Sequence, residues 1–74
     1  LDPDSPEAIE YRAELFLLTG RFDEVKSSYA KLSDSSPSYA GVLKQSMQDW
    51  SKRKDAPGAD APGRDAFVAW IATL

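Results

Sequence analysis

Apolar residues recur at helical spacing in four segments of the chain, which predicts an all-α fold of about four helices. In the first segment, Ser5 suits a helix cap, Pro6 suits the first helical position and Glu7 suits the positive end of the dipole. Its apolar residues form two series, Ile9, Ala13 and Phe16 in one and Ala8, Tyr11, Leu15 and Leu18 in the other. A helix with two apolar faces is expected to lie between neighbours in a stack. Gly20 is the predicted stop, because glycine adopts the left-handed conformation at little cost.

The second predicted helix begins near Phe22 and is broken by the serine-rich run 33–37, since the residue before Pro37 avoids the helical region. Its predicted buried face consists of Phe22, Val25, Tyr29 and Leu32. The link around Gly20 is only about one to three residues long, which makes the first two helices an antiparallel hairpin.

The third predicted helix runs from about Pro37 or Ser38 to Arg53, and Asp65 can cap a short fourth helix. The residues predicted to be buried are Ala40, Leu43, Met47 and Trp50 in the third helix and Phe67, Trp70, Ile71 and Leu74 in the fourth. Between them the tract 55–63 contains two Pro-Gly pairs, which a helix does not tolerate. The tract is therefore predicted to be an exposed and mobile loop, and the four helices are predicted to form two hairpins within one domain over residues 1–74.

Composition narrows the function classes. The chain has no Cys and no His, so it lacks disulfides, the usual zinc ligands and the commonest catalytic bases and nucleophiles, and we predict neither enzyme activity nor a cofactor. A net charge of −3 argues against a nucleic-acid binder, which normally needs a broad basic face. The longest clearly apolar stretch, Leu15 to Leu18, is far too short for membrane insertion.

A repeat is indicated by Pro3 and Pro37, which are 34 residues apart, the period of tetratricopeptide repeats. The repeat pattern of that family maps onto the chain without a gap through Ile9, Arg12, Ala13, Phe16, Val25, Tyr29 and Pro37. On these residues the chain resembles the tetratricopeptide repeat (TPR) family, with one complete repeat over about 6–37 and residues 1–5 as the tail of a preceding repeat. Arg12 departs from the pattern, which has a leucine there. The resemblance implies helix hairpins stacked as part of an α-solenoid.

The second half resembles a degenerate repeat, with its first helix over 38–54, an inserted Pro/Gly loop over 55–64 and a terminal helix over 65–74. Met47 stands at a position that is normally small in the family. Phe67, Ile71 and Leu74 repeat the spacing of the second helix of the complete repeat. The last helix is therefore either the second helix of this repeat or a cap on the array, and the sequence leaves both open.

The resemblance implies that one face of each first helix lines a concave surface. Glu7, Glu10 and Glu14 form such a stripe, and a solvated helix face is its plainest interpretation, with a charged groove rim as the alternative. On a water-exposed face, nothing is expected to raise the pKa of these carboxyls.

Some TPR proteins grip a carboxylate terminus with Lys and Asn side chains on successive first helices. Glu10 and Glu14 reverse the sign at the matching positions of the first repeat, whereas Lys44 and Gln48 occupy them in the second. We therefore expect a partner segment with basic residues near Glu10 and Glu14 and an acidic or polar one near Lys44 and Lys52.

Two functions remain open from the sequence. The first is a non-catalytic protein-interaction module that binds a protein or peptide on its concave face, through Glu7, Glu10, Glu14, Lys44, Gln48 and Lys52. The alternative is a docking or oligomerisation domain of a larger enzyme, which self-associates through exposed array ends. An exposed end containing Phe67, Trp70 and Leu74 would form such an adhesive surface.

Overall fold

The computed structural model describes residues 5–74, which form four helices and no strand. The helices are α1 (Pro6–Leu18), α2 (Phe22–Ser35), α3 (Pro37–Ser51) and α4 (Arg64–Ile71). The prediction of an all-α fold is thereby confirmed. Most of the predicted tail of a preceding repeat, including Pro3, lies outside the described residues.

Both ends of α1 form as the sequence predicts. The Ser5 hydroxyl accepts a hydrogen bond from the backbone N–H of Ala8 at 3.2 Å, which caps the first turn. At the other end Gly20 has a φ of +79°, and the N–H of Arg21 donates to the carbonyl of Phe16 at 2.9 Å. This is the Schellman arrangement, in which the left-handed glycine lets the chain turn while the last helical carbonyls stay paired.

The second and third helices differ only slightly from the prediction. α2 continues to Ser35, so that Ser36 alone separates it from Pro37 at the start of α3. Phe22, Val25 and Leu32 are buried as expected, and Tyr29 is half-buried. All four residues predicted for the buried face of α3 are buried: Ala40, Leu43, Met47 and Trp50.

Each of α1, α2 and α3 packs against the other two, whereas α4 packs against α3 and, through aromatic rings, against α2. The rings of Phe22 and Phe67 are stacked, with centroids 4.5 Å apart. Trp50 meets the rings of Phe22 and Phe67 edge-on, at 5.6 Å and 5.8 Å. This aromatic cluster joins three helices, and Phe67 is only 1% exposed. The expectation of an adhesive end that exposes Phe67, Trp70 and Leu74 is therefore wrong for Phe67, because α2 and α3 cover the ring, and Trp70 and Leu74 are half-buried against the core.

The Pro/Gly tract between α3 and α4 is folded against α1, so the prediction that it is exposed is wrong for Ala56 and Ala59, although most of its other residues are exposed. Ala56 and Ala59 are buried, and the indole N–H of Trp50 donates to the carbonyl of Pro57 at 2.8 Å. A Cβ added to Gly58 would lie 2.6 Å from the carbonyl oxygen of Leu17. Proline and glycine exclude a helix here, but they permit a series of tight turns that the end of α1 then covers.

Candidate interaction surface

Exposed large apolar side chains are unevenly distributed over the described residues: all of them lie on α1 and α3. They are Tyr11, Leu15 and Leu18 on α1, which are 62%, 46% and 42% exposed, and Tyr39 and Val42 on α3, which are 37% and 52% exposed. We call these side chains the α1–α3 face. The second apolar series of α1 therefore contributes to this face and not to the core of the chain.

A groove of about 240 Å³ runs between α1 and α3. Its walls include Glu14 and Leu18 from α1 and Ser46, Asp49, Trp50 and Arg53 from α3. The Ser46 hydroxyl donates to Oε1 of Glu14 at 3.1 Å, across a sequence separation of 32 residues. Since α2 reverses the chain between them, α1 and α3 run in the same direction, and the same separation places Val42 alongside Glu10. The groove and the α1–α3 face therefore belong to one side of the molecule.

Glu10 is buried in the contact between these helices, with only 8% of its surface exposed. Its Oε1 atom has no hydrogen-bond partner among the described residues. Burial, then hydrogen bonding of the protonated carboxyl to Glu14 and then the negative charge of Glu14 raise the pKa of Glu10 from its ordinary value of 4.5 to about 7. The solvated-face interpretation is therefore wrong for Glu10, and so is the expectation that nothing raises its pKa.

The burial of Glu10 follows from its helical position. Ala13 and Leu17, three and seven residues later, share its face and are both buried. The sequence contained this signal, because any residue on the line of Ala13 and Leu17 points at the neighbouring helix. We followed the charge pattern of the Glu stripe instead, and a carboxylate is seldom fully buried.

The other predicted site residues lie in two separate places, on α1 and on the side of α3 that faces α4. Glu7 is exposed and Glu14 is half-buried, both on α1. Gln48 and Lys52 line a separate groove, formed with Val68, Ile71 and Ala72 at α4. Lys44 lies one turn before Gln48 on the same side of α3. The structure therefore brings Glu10 and Glu14 together but does not place Lys44, Gln48 or Lys52 beside them.

Sequence reasoning did not select Tyr39 or Val42 for the site. Val42 is one turn before Ser46, the residue that bonds Glu14, so its place follows from the register of α3 against α1. That register was not visible in either helix alone.

No three acidic side chains of residues 5–74 converge as metal ligands would. Within the same residues, none of the helices combines the length and the apolar character needed to cross a membrane.

Comparison of the chain with protein-family models, with curated proteins and with solved structures gives no match. The resemblance to tetratricopeptide repeats therefore stays a hypothesis that rests on the residues of the repeat itself.

Proposed function

We propose that this chain is a non-catalytic, TPR-like protein-interaction module, which binds an apolar protein segment on the α1–α3 face. The observation that carries the proposal is the confinement of the exposed large apolar side chains to α1 and α3. These are the first helices of the two predicted repeats, whose faces line the concave surface in the family that the chain resembles. Apolar surface concentrated on two adjacent helices of a small protein is typical of a site that another protein covers.

The composition of the face supports the same function. Tyr11 and Tyr39 supply large side chains with few rotatable bonds and a polar tip, and tyrosine is enriched where proteins bind one another. Exposed Glu7 and half-buried Glu14 border the apolar side chains on α1. The proposed partner is therefore a segment with several apolar side chains and at least one Lys or Arg, and its binding weakens as salt increases.

From the sequence, the partner is expected to carry an acidic or polar group near Lys44 and Lys52, but binding on the α1–α3 face does not require that group. Lys44, Gln48 and Lys52 lie beyond α3 from the face, so a segment bound between α1 and α3 does not need an acidic group to meet them.

The proposal is tested by selecting binders from a random peptide library against the chain and measuring their Kd by isothermal titration. We expect the selected peptides to combine apolar and basic residues. The double variant Tyr11→Ser/Leu15→Ser should weaken their binding by about tenfold or more, since it removes the two most exposed apolar side chains of α1.

A matched control is Ala30→Ser/Ala69→Ser, which changes exposed positions on α2 and α4 and should leave the Kd unchanged. Peptides that bind the two double variants equally well would place the site elsewhere, and a library without apolar, basic binders would count against the proposal.

The alternative function, a docking or oligomerisation domain of a larger enzyme, is supported by the same exposed side chains with a second copy as the occupant. Sedimentation of the wild-type chain and of Tyr11→Ser/Leu15→Ser separates the two functions. A wild-type dimer that becomes a monomer in the variant would favour self-association, whereas a monomer in both supports binding of another protein.

A further inference from the structure

Glu14 connects α1 to α3 through a polar contact. Its Oε1 accepts a hydrogen bond from the Ser46 hydroxyl at 3.1 Å. Glu14 lines the groove between the two helices and is half-buried. Glu10 lies one turn earlier on α1 and is the more deeply buried of the two carboxyls. Two carboxyl groups and one hydroxyl therefore lie together where the first helices of the hairpins meet.

The surroundings of Glu10 suit a neutral carboxyl group. Its Oε1 atom is buried and has no hydrogen-bond partner among the described residues. A charged carboxylate at this place would be desolvated and would face the charge of Glu14. A protonated Glu10 instead donates a hydrogen bond to Glu14, which then accepts hydrogen bonds from both Glu10 and Ser46. The raised pKa, about 7, agrees with this arrangement.

The other charged residues near Glu10 and Glu14 are either exposed or lie in grooves that contain both signs of charge. On α1, Glu7 is exposed and lies one turn before Glu10. On α3, Asp49 and Arg53 line the groove next to Glu14 and carry opposite charges. On α2, the charged residues that line its groove with α1 are Glu24 and Lys31, which also have opposite signs, and Arg12 of α1 shares that groove. Glu14 therefore remains the charged group that acts directly on Glu10.

We infer that Glu10, Glu14 and Ser46 form a proton-controlled joint, which holds α1 against α3 when Glu10 is protonated and loosens this contact when Glu10 ionises. Ionisation replaces a shared hydrogen bond by repulsion between two carboxylates in the helix contact. The ionised Glu10 carboxylate is more stable when it is hydrated, and α1 must shift away from α3 to bring it into water. Because the α1–α3 face is built from both helices, the joint also regulates partner binding, a consequence that rests on the proposed function.

The joint is tested on the chain alone by amide hydrogen exchange, corrected for the intrinsic effect of pH on exchange. Between about pH 6 and about pH 8, protection of the α1 and α3 amides in the wild-type chain should fall about tenfold, since ionisation spans this range. In Glu10→Gln the amide group donates to Glu14 without ionising, so protection should change by less than about twofold. An equal fall in both proteins would overturn the inference.

A second measurement needs no variant. The carboxyl carbon of Glu10, followed by nuclear magnetic resonance, should titrate near pH 7, and the backbone amide of Ser46 should shift with the same midpoint. A Glu10 midpoint close to that of a free glutamate, or a Ser46 signal that does not follow Glu10, would contradict the joint.

The joint and the proposed function fail in different ways. A peptide that binds the α1–α3 face should have a higher Kd at about pH 8 than at about pH 6 with the wild-type chain, and a constant Kd with Glu10→Gln. If the pH dependence of hydrogen exchange disappears in Glu10→Gln but no peptide binds, the joint is supported and the proposed function is wrong. If peptides bind and hydrogen exchange is independent of Glu10, the proposed function stands and the joint is wrong.

Discussion

At the scale of single residues, the buried Glu10 carboxyl makes the free energy of unfolding depend on pH. Its pKa is raised to about 7 in the folded chain, so between about pH 4.5 and pH 7 the folded state holds a proton that the unfolded state has released. Stability should therefore be highest below this range and decrease as pH rises through it. We expect Glu10→Gln to remove this decrease and to be more stable than wild type at about pH 8, by on the order of 1–3 kcal/mol.

Urea unfolding followed by tryptophan fluorescence over a pH series measures this difference. Glu7→Gln is the matched control, since Glu7 is on the same helix but exposed, and it should follow the wild-type curve. Parallel curves for wild type and Glu10→Gln would show that Glu10 has an ordinary pKa in the folded chain.

At the scale of elements, the Pro/Gly tract should be a fixed part of the fold. Gly58 has a φ of +83°, and a Cβ there would lie 2.6 Å from the carbonyl oxygen of Leu17. Gly58→Ala should lower the free energy of unfolding by about 1 kcal/mol or more, because the backbone of the tract must move away from α1. Gly41 in α3 has no atom within 4 Å of an added Cβ, so Gly41→Ala should raise stability by about 0.5–1 kcal/mol.

Chemical denaturation of the two variants distinguishes a docked tract from a loose one by the sign of the change. If both alanine variants were stabilised, the tract would not rest against α1. The pair also controls for the general effect of alanine on the unfolded chain, which is the same at both positions.

The elements also show how far the sequence could predict the fold. The bounds of α1, α2 and α3 followed closely from local signals such as the cap at Ser5 and the left-handed Gly20. The predicted cap of α4 was wrong, because Asp65 lies in the first turn and Gly63 is the N-cap. The burial of Ala56 and Ala59 was missed because it depends on contact with the distant end of α1. Glu10 was misjudged for a different reason: its burial was predictable from Ala13 and Leu17 on the same helix face, but the charge pattern of the neighbouring glutamates suggested a solvated face.

At the scale of the whole molecule, the aromatic cluster connects α4 to the rest. Phe67 is the most deeply buried residue of α4, and its ring stacks on Phe22 of α2 and meets Trp50 of α3 edge-on. Without the Phe67 ring, the aromatic contact between α4 and α2 reduces to the half-buried Trp70, which meets Tyr29 edge-on at 5.7 Å. The stability of the molecule should therefore depend on Phe67 more than on any other residue of α4.

The loss of the Phe67 ring is expected to cost about as much free energy as the whole fold supplies. Truncating a buried phenylalanine to alanine costs about 3–5 kcal/mol, and a core of this size supplies about 3–5 kcal/mol in total. We therefore expect Phe67→Ala to unfold much of the population at room temperature, with a large loss of far-ultraviolet circular dichroism. Val68→Ala, at a half-buried position on the same helix, should cost on the order of 1 kcal/mol and leave the chain folded. If Phe67→Ala lost only the helical signal of α4 and kept a cooperative transition, then α1, α2 and α3 would form an independent unit. The cluster would in that case hold α4 on the fold without holding the fold together.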